Sequence, residues 1–98
     1  MLIYHIVLPE VWENLNAGLY KPPSLDSEGF IHCSFRDQLD GVIERYYSNA
    51  ESLMILELDS ERLMSRVVCE PSTGNEIYPH VYGPINLDAV VSQEIRKR

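Results

Sequence analysis

Apolar residues in this chain come in short runs, and that pattern limits the fold more than any other feature. Residues 2–8, 29–34, 53–59, 67–70 and 89–95 are each of strand length and carry β-formers. Helical spacing appears between them only in short pieces. The clearest is Leu39, Val42, Ile43 and Tyr46 at i, i+3, i+4 and i+7; a weaker one is Val11, Trp12 and Leu15. A doubly wound parallel sheet needs regular crossovers of about a dozen residues or more, and the strand-rich second half leaves no room for them. The expected fold class is therefore α+β, a compact β-sheet with short helices. With 98 residues the chain is expected to form a single domain, 1–98, around one small core.

Local signals add detail. On the first strand, Leu2, Tyr4, Ile6 and Leu8 share one face and Ile3, His5 and Val7 the other. Pro9 suits the first turn of a helix and Gly18 its C-terminal cap. Residues 19–28, with Pro22 and Pro23, read as a loop. Phe30, His32 and Ser34 share one face of the strand that follows, and Ser34 and Asp37 have the spacing of a capping box. Ser60 is placed to cap one helical turn reaching Met64, and 71–75 is a turn. Pro79 and Pro84 make 77–87 an irregular extended segment. The last strand has Val91 and Ile95 on one face and Val90 on the other.

Fifteen acidic residues face eight basic ones, for a net charge of −7. Three of the basic residues are the last three, so residues 1–95 carry 15 acids against 5 bases, or −10. Phosphate-backbone binding requires clustered Lys and Arg, so a nucleic-acid partner is not expected. No apolar stretch reaches the roughly 18 residues that span a bilayer, and the N-terminus lacks a basic region and a cleavage site. The expectation is a cytoplasmic protein with no membrane partner, and nothing in the sequence sets its oligomeric state. Cys33 and Cys69 form no C-x-x-C pair and are expected to be free, small core residues.

The histidines are the chemically informative residues. His5, His32 and His80 each sit in an aromatic or apolar block. Buried imidazoles need hydrogen-bond partners, so the three either are satisfied separately or share one polar cleft. No H-x-x-x-H or H-x-H pair occurs, and no metal is expected. His32 and Cys33 point to opposite faces of a strand and do not make a Cys–His pair. Tyr78-Pro79-His80-Val81-Tyr82-Gly83-Pro84 makes a stiff aromatic wall, suited either to packing or to stacking on a ligand.

Several blocks together resemble a known family. Tyr4-His5-Ile6-Val7, Trp12, Tyr20, Glu28-Gly29-Phe30-Ile31-His32-Cys33-Ser34, Gln38, Leu56-Glu57-Leu58-Asp59, Glu70 and Tyr78-Pro79-His80-Val81-Tyr82-Gly83-Pro84-Ile85 look like the small bacterial family catalogued as domain of unknown function 952. That family is grouped by fold with the ADP-ribosyltransferases. The resemblance implies a split β-sheet and a cleft that takes NAD or a related nucleotide as its small-molecule ligand. It implies that His5 holds the ribose, that His32 and His80 serve as acid, base or phosphate ligand, and that Phe30, Ser34 and Tyr82 line the cofactor site. The fold group's usual glutamate has no counterpart between Ile77 and Leu87, which leaves Glu57, Glu70 and Glu76 as acidic candidates. It also leaves open a non-catalytic module of the same fold that binds a small ligand or a protein. Arg36 and Arg66 are the cations nearest to these blocks.

Overall fold

The computed structural model describes residues 1–13, 15 and 18–97. Its strands are β1 (Leu2–Val7), β2 (Leu19–Tyr20), β3 (Ile31–His32), β4 (Ser52–Asp59), β5 (Arg66–Pro71), β6 (Ile77–Tyr82), β7 (Ile85–Asn86) and β8 (Val90–Lys97). The helices are α1 (Pro9–Glu13), α2 (Pro23–Glu28) and α3 (Leu39–Tyr46). The order in one sheet is β1-β4-β8, in a second β3-β6-β5, and β2 pairs with β7. Every ladder is antiparallel. The α+β class read from the short apolar runs is the one observed.

β1 and β4 bury both faces. Ile3, Val7, Met54, Leu56 and Leu58 meet Ile31 and Val81 of the second sheet in one core. Tyr4, Ile6, Leu53 and Ile55 meet Leu39 and Ile43 of α3 in the other. The molecule is therefore layered as helix, sheet, sheet. The two sheets are joined at one point: Tyr4 and Ser34 exchange backbone bonds of 2.8 and 2.7 Å. This seam turns β1 and β3 into neighbours and leaves a groove beside them.

Several local expectations are corrected. The predicted loop at 19–28 contains β2 and α2. Pro23 is pre-set for the first turn of α2, and Gly29 closes it in the left-handed region at φ 86°, with its N–H donating to the Leu25 carbonyl. Regular pairing in the strand expected at 29–34 is confined to Ile31–His32 and the bridge at Ser34. The capping box falls one residue later: the Gln38 side chain accepts from the Phe35 N–H at 2.9 Å, ahead of a 3₁₀ turn at Arg36–Gln38. Asp59 rather than Ser60 caps the turn after β4, through a 3.0 Å bond from the Glu61 N–H. The expected Gly18 cap adjoins Asn16 and Ala17, which lie outside the described residues.

The larger correction is β6. Residues 77–82 form a regular strand between β3 and β5 despite Pro79. The Pro79 carbonyl accepts from Cys33 N–H on the β3 side. Its missing donor faces the same side, where β3 has already ended at His32, so the ladder loses nothing it needs. Of the cysteines, Cys33 is buried as expected, whereas Cys69 is exposed on β5; both are free. Val90 packs on the core while Val91 and Ile95 face outward.

Gly83 ends β6 where the chain passes close to Ser65. A Cβ at Gly83 would lie 2.4 Å from the Ser65 Oγ and 2.9 Å from its Cβ, at φ +154°. The Ser65 hydroxyl is already committed to the Pro84 carbonyl at 2.7 Å. Gly83→Ala is expected to cost about 1–3 kcal/mol, as overpacking does. Urea denaturation, read as a fall in midpoint with an unchanged slope, checks this.

Candidate functional site

The three histidines form a chain of contacts rather than one cluster. His5 lies on β1, is 7% exposed, and has both ring nitrogens engaged. Its Nδ1 is 2.7 Å from the His32 carbonyl, which can only accept, so Nδ1 carries the hydrogen. Nε2 then accepts the Tyr20 hydroxyl at 2.9 Å. One imidazole thus ties β1 to β3 and to β2. Burial drives its pKa down to about 4 against the opposing pull of the His32 carbonyl, so it is neutral at pH 7. Burial pushes the Tyr20 and Cys33 groups up, so both keep their protons.

His32 and His80 pair across the β3–β6 ladder. Their rings meet edge to face at 5.4 Å. The period of two turns His32, Tyr78, His80 and Tyr82 away from the Ile31–Val81 core, onto the opposite face of the sheet. His32 is exposed, and its Nε2 is 2.9 Å from Glu28 one helical turn earlier. His80 is 2% exposed, and its Nδ1 is 2.6 Å from Glu70 on β5. The Tyr82 hydroxyl donates to the same Glu70 oxygen. These two donors hold the Glu70 carboxyl below the usual carboxylate range. Phe30 stacks on the His80 ring at 4.1 Å and 18°, and touches His32 edge-on.

The groove beside the seam opens into a sizeable space. A cavity of about 540 Å³ lies between α3, the β3 segment and the β5–β6 turn. His32, Ser34, Arg45, Tyr46, Tyr47 and Tyr78 are among its walls. Arg45 is the only arginine or lysine among its described lining residues. It donates to the Tyr78 hydroxyl at 2.7 Å and lies over the Tyr46 ring. The Tyr46 hydroxyl meets the Thr73 hydroxyl at 2.8 Å, joining α3 to the far wall. A second cavity of about 330 Å³ runs along β1 past His5 and Tyr20 and shares His32, Ser34, Val42 and Tyr47 with the first.

Of the residues singled out in sequence, His32 and Ser34 line the main cavity and His5 the second one. His80, Phe30 and Tyr82 form a packed aromatic group behind His32. Arg36 lies elsewhere, bound to Tyr4 and Glu57. Arg66 lies over Tyr82. Sequence reasoning missed Arg45 and Tyr46, because the helical pattern treated one as solvated surface and the other as core. Their position in the last turn of α3 was legible; the sheet they face was not.

A small antiparallel α+β domain with a ligand-sized cleft at the junction of its two sheets is the class of protein this geometry defines. The chain belongs to the family described as protein of unknown function (DUF952), which matches residues 6–93. Among solved structures it is similar to protein CC0527 from Caulobacter crescentus, at 26% identity and a TM-score of 0.86, over 97% of this chain and 85% of that one. The solution structure of CC0527 is similar at 26% identity and a TM-score of 0.80, over 95% and 82% of the two chains. No curated protein matches the sequence.

The His5 clasp makes stability depend on pH. An unfolded histidine titrates near 6.5 and the folded one near 4, so the unfolded state takes up the proton first as pH falls. The stabilisation is present above pH 6.5 and is lost as pH falls from there toward 4. It is worth on the order of 3 kcal/mol for a shift of this size. Urea denaturation at pH 7.5 and pH 4.5 should show this loss, with a shallower slope in His5→Gln.

Proposed function

We propose that this chain is an ADP-ribosyltransferase-like domain whose cleft binds NAD or a related nucleotide. The cavity at the sheet junction carries the reading. Its volume of about 540 Å³ falls within the range of roughly 300–1,000 Å³ seen for small-molecule sites. Its walls offer what a nucleotide needs: aromatic rings for a base, hydroxyl groups for a ribose, and a guanidinium for phosphate. Tyr46, Tyr47 and Tyr78 supply the rings, Ser34 the small polar wall, and Arg45 the positive charge in an otherwise acidic chain.

In this reading His5 is a fastener that shapes the cleft. With a carbonyl on one nitrogen and a tyrosine hydroxyl on the other, it has no free nitrogen for a ribose. The same observation favours a second reading, a ligand-binding module of the same fold without transferase chemistry.

Titration calorimetry with NAD and with ADP-ribose tests both readings. Binding of either ligand is expected, and Arg45→Ala should weaken it at least tenfold, as loss of a charge-assisted contact of about 1.5–3 kcal/mol would. Binding without nicotinamide release supports the second reading. No heat with either ligand at millimolar concentration removes the nucleotide assignment.

A further inference from the structure

His80 contains an unexplained polar atom. Its Nε2 is buried and has no hydrogen-bond partner among the described residues. Leaving such an atom unsatisfied is costly, and a fold retains one only when something compensates. The other side of the ring is well held. Glu70 is a carboxylate and can only accept, so the hydrogen on Nδ1 points to it and a neutral His80 presents a bare lone pair at Nε2. Tyr82 braces Glu70 from the next position on the same face of β6. A carboxylate that fixes tautomer and ring orientation, behind a histidine with one open nitrogen, is the arrangement of a general base. Among the described residues no three His, Cys, Asp or Glu side chains cluster in a way that would hold a metal. The lone pair is therefore better suited to a proton.

The His80 ring has Phe30 against one face and one neighbour leading to the cleft. Phe30 stacks on the ring and is itself only half-buried, on a segment that begins at left-handed Gly29. His32 touches both rings and lines the cavity.

We propose that His80 is the general base of this cleft, that Glu70 and Tyr82 are its positioning residues, and that Phe30 must turn aside to expose it. This rests on the nucleotide reading, and the substrate class is a pyridinium N-riboside such as NAD. Water is the nucleophile. Its oxygen bonds to the ribosyl carbon, and its proton passes to Nε2 of His80. The carbon–nitrogen bond breaks, and its electron pair leaves with nicotinamide and cancels the pyridinium charge. The imidazolium formed is balanced by Glu70. The other ionisable groups facing the pair are Arg66 on β5, Tyr78 and Tyr82 on β6, and His32 with its partner Glu28.

Nitrogen-15 NMR of the ligand-free protein reads the tautomer directly. The expected result is hydrogen on Nδ1 and none on Nε2; the reverse overturns the proposal. Diethyl pyrocarbonate should modify His80 faster in Phe30→Ala than in the wild type, and equal rates remove the gate. With NAD, the wild-type protein should release nicotinamide, and His80→Gln should lower that rate by at least about a hundredfold while leaving calorimetric binding intact. Glu70→Gln keeps an acceptor on Nδ1 but removes the charge. It should slow release and move the ascending limb of the rate–pH profile to lower pH. If His80→Gln does not fold, Glu70→Gln and Tyr82→Phe carry the test from the more exposed side of the pair. Binding with no release, or release that His80→Gln leaves unchanged, overturns the general base but spares the nucleotide reading. Absence of binding overturns both.

Discussion

The seam between β1 and β3 is the constraint on which the rest of the structure depends. Two backbone bonds between Tyr4 and Ser34 join the sheets, and the His5 imidazole reinforces the junction one residue further on. Both sheets are short, and neither could bury a core alone. Held together here, they enclose Ile3, Ile31, Leu56, Leu58, Val81 and Ile85 without solvent contact or nearly so. The junction also has a functional consequence. Where two twisted sheets meet at one point they diverge on either side of it, and the groove that opens beside Ser34 becomes the cleft. Stability and site therefore share one cause. A neutral imidazole suits the position because it can donate on one side and accept on the other.

Charge shapes the cleft as much as its walls do. The chain carries −7 overall, so a phosphate approaching it meets net repulsion. Arg45 offsets this locally, held by the Tyr78 hydroxyl at the cavity wall. The acidic residues near the histidines are not spread at random. Glu28 and Glu70 each hold one nitrogen of a histidine, on opposite sides of the His32–His80 contact. Two carboxylates are thus taken up in orienting two imidazoles. Arg36 and Glu57 play the corresponding part around Tyr4 on the other face of the first sheet, away from the main cavity.

Much of this protein was legible as pattern. Period two on β1 separated Ile3, His5 and Val7 from Tyr4 and Ile6, and the two sets do enter different cores. The i, i+3, i+4 stripe located α3 and its buried residues Leu39 and Ile43. The failures have physical reasons. Proline removes a donor and so makes β6 look irregular in sequence, but the side that lacks the donor faces a strand that has already ended. Prolines break structure and so make 19–28 look like a loop, yet Pro23 at the start of α2 and Gly29 at its end are a helix boundary pair. Tyr46 completes the helical stripe and so looks like core, but it stands 60% exposed at the wall of the cleft.

The sequence by itself determined the α+β class, the shortness of the elements, the family and the three histidine-bearing blocks. These follow from local periodicity and residue identity, which need no knowledge of what packs against what. Tertiary structure alone decided what each histidine does. The same imidazole is a neutral fastener at His5, an exposed wall of the cavity at His32, and a carboxylate-held ring with an open nitrogen at His80. The difference lies in partners distant along the chain: Tyr20 for the first, Glu70 and Phe30 for the last. Hydrogen bonding and burial act over a few ångströms, and only the folded chain sets which groups come that close.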